Sequence, residues 1–411
     1  MNSDKRRFGT GYRRQVGLWL PILAAAALIV RLALASRPGG FMSDQELFVD
    51  WMRQVSARGL GGVYIESTNI NYPPLFLLIM DLYRRVIGWF GAVPAPGELS
   101  FKGVLVALDM AVFAAAARLT RNTGSPRRRL AVLGLLALNP ALIFVGSVWG
   151  QVDLPHSFLM AASLILLPPL PAVSGVLFAL ALLTKFQAVT LLAVFGMKFL
   201  HSLIRKKEWR PAALFLGGFA GTVAVCAGFF ALFGGLRAMI AGAYLSAVGM
   251  YPQVTMNAMN IWFYFVGTAP ATPDTTKILG LLTLRGAGFL LLALCTAFAA
   301  LYLWRSRMDA PALLKAAALV NFGFFMLPTE MHERYSIPAL VLAIFVCLYD
   351  HRWRLPALVL SFSVTANLWM VQAGNIHAAG GLFIVYVHVG VLLWMMAALG
   401  LEIKRGEARS D

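Results

Sequence analysis

Apolar runs of roughly 20 residues, divided by short loops rich in Lys and Arg, fill most of this 411-residue chain. That alternation decides the fold class before any motif is read, because about 20 largely apolar residues is the length that crosses a bilayer as a helix. Only helices and closed barrels satisfy every backbone N–H and C=O inside hydrocarbon. A barrel needs alternating segments of about ten residues, and none stand out. The expectation is an all-α membrane protein, a polytopic helical bundle. The charged fraction of 13% agrees, since soluble domains average about 25%.

The 35 Lys and Arg outnumber the 18 acids, for a net charge of +17. They are scattered between apolar runs and do not gather on one face. That reads as a topology signal, with basic loops retained in the cytoplasm, and no nucleic-acid partner is expected. Spans are expected near 17–36, 102–119, 130–148, 154–169, 172–185, 186–200, 211–233, 278–304, 310–327, 336–349, 355–372 and 381–401. Both ends then lie in the cytoplasm of a plasma-membrane protein: an N-terminus of residues 1–16, a single transmembrane domain of 17–403 and a tail of 404–411. "YPPLFLLIMDLYRRVIGWFG" is excluded as a span because Asp81, Arg84 and Arg85 sit in its middle, and each costs about 2.5–3.5 kcal/mol at mid-membrane. It is read as an amphipathic or re-entrant helix at the outer surface. The three cysteines lie inside apolar runs without metal-ligand spacing and read as packing residues.

This threading collects the chemically capable residues on the outer side. The first outer loop, 37–101, carries Asp44, Glu46, Asp50 and the Asn71-Tyr72-Pro-Pro turn. "SVWGQVD" brings Trp149, Gln151 and Asp153, and "TKFQ" brings Lys185 and Gln187. The large loop 234–277 holds Asn257, the loop 328–335 holds Glu330, His332, Glu333 and Arg334, and a last loop holds His377. Singly, each has a plain reading: Asp44 as a helix N-cap, Trp149 as an interfacial anchor, Lys185 as a snorkelling cation. Together, a Lys and an Arg facing one cavity suit a phosphate, and an acid across from them suits a general base. Asp109, near the middle of a span, needs a buried partner and is too deep for chemistry at the outer face.

Four segments in order carry a family resemblance: the acidic first loop with "NYPPL", then "NPALIFVGSVWGQVD", "ALLTKFQAV" and "MHERYSIPAL". The chain resembles membrane glycosyltransferases of the GT-C superfamily, in particular a bacterial branch similar to GPI mannosyltransferase II. The glucosyltransferases that use dolichol-phosphate-glucose have a comparable order of motifs. The resemblance implies an inverting transfer of a hexose, with mannose foremost, from a polyprenyl-phosphate sugar to a hydroxyl of a glycolipid or glycan acceptor. It implies Asp44 as base, with Glu46 as substitute. Lys185, His332 and Arg334 fall to the donor phosphate, and Tyr72, Trp149, Gln151, Asp153, Gln187, Asn257 and Glu333 to substrate binding. Arg334 stands where the glucosyltransferases have Lys. No cofactor is required on this reading, although Asp44 with Asp153 leaves a place for Mg²⁺ or Mn²⁺ open. The rival is a secondary transporter or lipid-linked-glycan flippase. Against it, transporters place charges at the midplane and show related halves, and no internal repeat is evident here.

Overall fold

The structure, a computed structural model, describes residues 2–67, 69–247, 249–265, 272–278, 280–376 and 378–406. His377 lies outside the described residues. The chain is nearly all helical: α1 (Asn2–Ala35), α2 (Met42–Glu66), α3 (Pro74–Gly88), α4 (Leu99–Leu119), α5 (Pro126–Leu138), α6 (Pro140–Ile143), α7 (Asp153–Leu166), α8 (Pro171–Thr184), α9 (Leu192–His201), α10 (Arg210–Leu232), α11 (Leu236–Ala243), α12 (Leu284–Arg305), α13 (Ala310–Met326), α14 (Ile337–Val346), α15 (Arg354–Gln372) and α16 (Ala378–Arg405). A helix lies on every segment expected to span. Among the described residues eight helical segments are long and apolar enough to cross a membrane, and α7, α8 and α13 are shorter apolar helices. The span expected from residue 278 starts instead at Leu284. Lys277–Ile278 and Leu282–Thr283 pair as a two-stranded ribbon, and Thr283 caps α12 by accepting from Gly286 N at 3.0 Å.

Burial runs from the centre outward. Every residue of α14 is buried, and so is nearly all of α13. By contrast α10 turns Leu216, Val225 and Leu232 outward, as a lipid-facing helix should. A smaller core joins α2, α3 and α4 through Phe48, Trp51, Phe76 and Phe101. In α3, Asp81 pairs with Arg84 and Arg85 at 2.9 and 2.8 Å, so its polar stripe is partly neutralised and keeps one net positive charge.

Asp109 has its partner. Pro140 has no N–H, so the Leu136 carbonyl one turn earlier loses its helical donor. Asn139 Oδ1 takes the Ala141 N–H at 3.0 Å, which diverts it from Ala137 O. Arg31 supplies both carbonyls, donating from Nη2 to Leu136 O (3.3 Å) and from Nη1 to Ala137 O (2.6 Å). Its Nε bonds Asp109 Oδ2 at 2.9 Å. One buried ion pair therefore repairs the helix break that begins the turn toward Trp149 and Gln151.

The loops tie to one another at one end of the bundle. Arg128 donates to Tyr349 O at 2.7 Å, and Lys315 pairs with Asp350 and Glu402 at 2.9 and 2.6 Å. From that end α13 runs to the segment carrying Thr329 to Arg334, and α14 returns from it. The candidate site therefore lies at the opposite end of these two helices from the basic loops.

Candidate active site

Asp44 sits in the first turn of α2. Its Oδ2 accepts from Trp149 Nε1 at 3.0 Å and Gln151 Nε2 at 2.6 Å, and Arg334 Nη1 lies 3.5 Å away. Trp149 ends a π-helical turn, 144–149, that Gly150 closes in the left-handed region at φ 99°. A Cβ on Gly150 would lie 2.8 Å from Gln45 Cγ, so glycine answers both the dihedral and the close approach. Gln45 locks the same junction from the other side. Its Nε2 donates to Val148 O and Trp149 O at 3.2 and 3.1 Å, and its Oε1 accepts from Gly97 N at 2.8 Å. Phe41 stacks on Trp149 at 4.3 Å.

Lys185 ends α8 in an extended conformation and bonds Asp153 Oδ1 at 2.5 Å. The rings of Tyr72 and Tyr335 lie 5.9 and 5.3 Å from its ammonium, which adds cation–π attraction where water is scarce. Arg334 shares Nη1 with Glu333 Oε1 at 2.9 Å. Its buried Nε has no hydrogen-bond partner among the described residues, which leaves a donor for a ligand oxygen. His332 stands beside Tyr251 and Tyr335, each ring 5.2 Å away. Burial, then the nearby Arg334 and Lys185 charges, hold its imidazole well below the usual range. The ring is therefore neutral near pH 7, and the positive charge here belongs to Lys185 and Arg334. Burial likewise pushes the Tyr335 phenol up to about 12.

A cavity of about 400 Å³ joins these groups. Of the residues expected from sequence, Asp44, Tyr72, Gln151, Lys185, Gln187, His332 and Arg334 line it. Five do not. Glu46 is exposed, because two residues along a helix is about 200° of rotation from Asp44. Trp149, Asp153 and Glu333 stand behind the wall, holding Asp44, Lys185 and Arg334 in turn. Asn257, at φ 67°, presents its carbonyl to Asn367 Nδ2 at 3.0 Å and serves the loop. Asp44 and Asp153 each face a cation, Arg334 at 3.5 Å and Lys185 at 2.5 Å.

Sequence reasoning passed over Gln45 and Tyr335 and gave Glu330 no role. Glu330 lines the cavity at φ 64°. Its Oε2 accepts from Gly249 N at 3.0 Å and its Oε1 pairs with Arg285 at 3.0 Å, while Arg285 also holds Asp274 at 2.7 Å. This pins the segment bearing Met250 and Tyr251, which line the cavity from the large loop. The only available sequence signal was an acid two residues before His332.

No family model matches the chain, and no curated protein matches it in sequence. Among solved structures it is similar to the crystal structure of ArnT from Cupriavidus metallidurans bound to undecaprenyl phosphate. The TM-score is 0.53 at 14% identity, over 95% of this chain and 78% of that one. The two chains share an overall helical architecture. At that identity the likeness speaks for the architecture alone.

Proposed function

We propose that the protein is an integral-membrane glycosyltransferase that uses a polyprenyl-phosphate sugar and inverts the anomeric centre in a single displacement. The observation that carries the reading is the meeting of Asp44, Lys185 and Arg334 at one cavity whose remaining wall is mostly apolar and aromatic. The resemblance of the fold to a structure holding undecaprenyl phosphate supports the donor class.

The donor phosphodiester sits between Lys185 and Arg334, where the free Arg334 Nε provides one donor. Asp44 takes the proton of the acceptor hydroxyl. The acceptor oxygen forms its bond to the anomeric carbon as the bond from that carbon to the phosphate oxygen breaks. The leaving polyprenyl phosphate keeps the electron pair, and the two fixed cations stabilise the added negative charge. General-base catalysis contributes about 10²–10⁴-fold, and alignment in the cavity contributes much of the remainder. From the sequence resemblance we assign a hexose, mannose first, a glycolipid or glycan acceptor, and a site on the outer face of the plasma membrane. No step needs a metal.

Purified protein in proteoliposomes, given a panel of labelled polyprenyl-phosphate sugars and an acceptor extract, should incorporate label from one donor. Solute uptake without incorporation would instead establish the transporter reading.

A further inference from the structure

The hydrogen bonds to Asp44 are one-sided. Trp149 Nε1 and Gln151 Nε2 both donate to Oδ2, and Arg334 lies on that same oxygen. Among the described residues nothing donates to Oδ1. A carboxylate pinned through one oxygen is fixed in rotation and offers the other as its free acceptor. Gln151 is itself held, because the Tyr72 hydroxyl donates to its Oε1 at 2.9 Å. The carboxylate, which can only accept, turns the amide N–H₂ toward itself, and the Tyr72 hydroxyl, donating to the remaining Oε1, holds the amide in place. Tyr72 is fixed by rings on two sides, Phe48 at 5.4 Å and Trp51 at 5.4 Å.

We infer that Gln151, oriented by Tyr72, is a positioning residue that turns Asp44 so that Oδ1 meets the acceptor hydroxyl. Its main work is on the base, and contact with the sugar is secondary. Gln45 makes the arrangement rigid. Two adjacent residues of α2 grip the 148–151 turn in opposite senses, Asp44 accepting from its side chains and Gln45 donating to its carbonyls. This inference rests on the glycosyltransferase reading and specifies how that site is tuned.

The test is a double-mutant cycle on steady-state transfer. Gln151→Leu, close in volume and without a donor, should lower kcat about 10- to 100-fold, the scale of a misplacement of about 1 Å. Donor KM should stay within about twofold, since nothing on the phosphate side is touched. Tyr72→Phe should lower kcat by a smaller factor, about 3- to 10-fold. The double variant should be no slower than Gln151→Leu alone, because Tyr72 acts through Gln151. Gln151→Asn, which keeps the amide, should recover part of the loss. Multiplicative losses, or a rise in donor KM with kcat intact, would overturn the positioning role and return both residues to substrate binding. Wild-type protein that transfers no sugar would instead overturn the function on which the inference stands.

Discussion

Lys185 and Asp153 form a pair whose removal separates stability from function. Their side chains are 7% and 0% exposed, and the bond between them is 2.5 Å. Among the described residues nothing donates to Asp153 Oδ2, so the pair is incompletely satisfied for its depth. Removing one member of a buried pair leaves an uncompensated charge and costs about 3–5 kcal/mol, whereas replacing both by apolar groups of similar size is often neutral or stabilising. Asp153→Leu strands the ammonium beside the Tyr72 and Tyr335 rings. Lys185→Met strands the carboxylate. Each single variant should therefore lose about 3–5 kcal/mol, and the double variant should return to within about 1 kcal/mol of wild type. Unfolding in mixed micelles, followed by tryptophan fluorescence, reads all four proteins. Binding of labelled donor should be lost in Lys185→Met and should stay lost in the stable double variant. Single variants as stable as wild type, or a double variant bearing the sum of both losses, would show that the two groups are not a buried, mutually dependent pair.

Two further outcomes follow from the same geometry. His332 is depressed by burial, so at mildly acidic pH the unfolded chain binds a proton that the folded chain does not. Its contribution to stability is present above about pH 6.5 and is lost as pH falls below it. A melting series from pH 7.5 to 5 should fall less steeply for His332→Gln than for wild type. Gly150→Ala forces an L-residue to φ 99° and sets its Cβ 2.8 Å from Gln45 Cγ. It should cost at least about 1–2 kcal/mol and reduce kcat, because the side chain it strikes is the one gripping the Trp149 junction. Thermal unfolding and transfer rate measured on one preparation check both.

The bundle was legible because its signal is redundant. Apolar length and basic loops each point to a helix at the same places, and Pro at a first turn, as at Pro126, Pro171 and Pro338, marks several starts. The ribbon of Lys277–Ile278 and Leu282–Thr283 was not legible, because a pair of two-residue strands has no periodicity to read. Asp44, Lys185 and Arg334 stood out because charge is scarce in this composition. Gln45 did not, because an amide beside an acid at a helix start looks like solvated surface. Its role depends on carbonyls 103 and 104 residues away. Asn257 misled for the converse reason: a polar residue in an aromatic loop resembles a ligand contact, yet its backbone carbonyl is what the fold uses. Glu46 was separable from Asp44 only by helix phase.

If Asp44 is the base opposite a cationic phosphate site, Asp44→Asn must separate donor binding from transfer. The substitution keeps shape and removes the negative charge. The variant should still bind labelled polyprenyl-phosphate sugar while its single-turnover transfer rate falls by at least about 10²-fold. Transfer within a few-fold of wild type by a folded, donor-binding Asp44→Asn protein would contradict it.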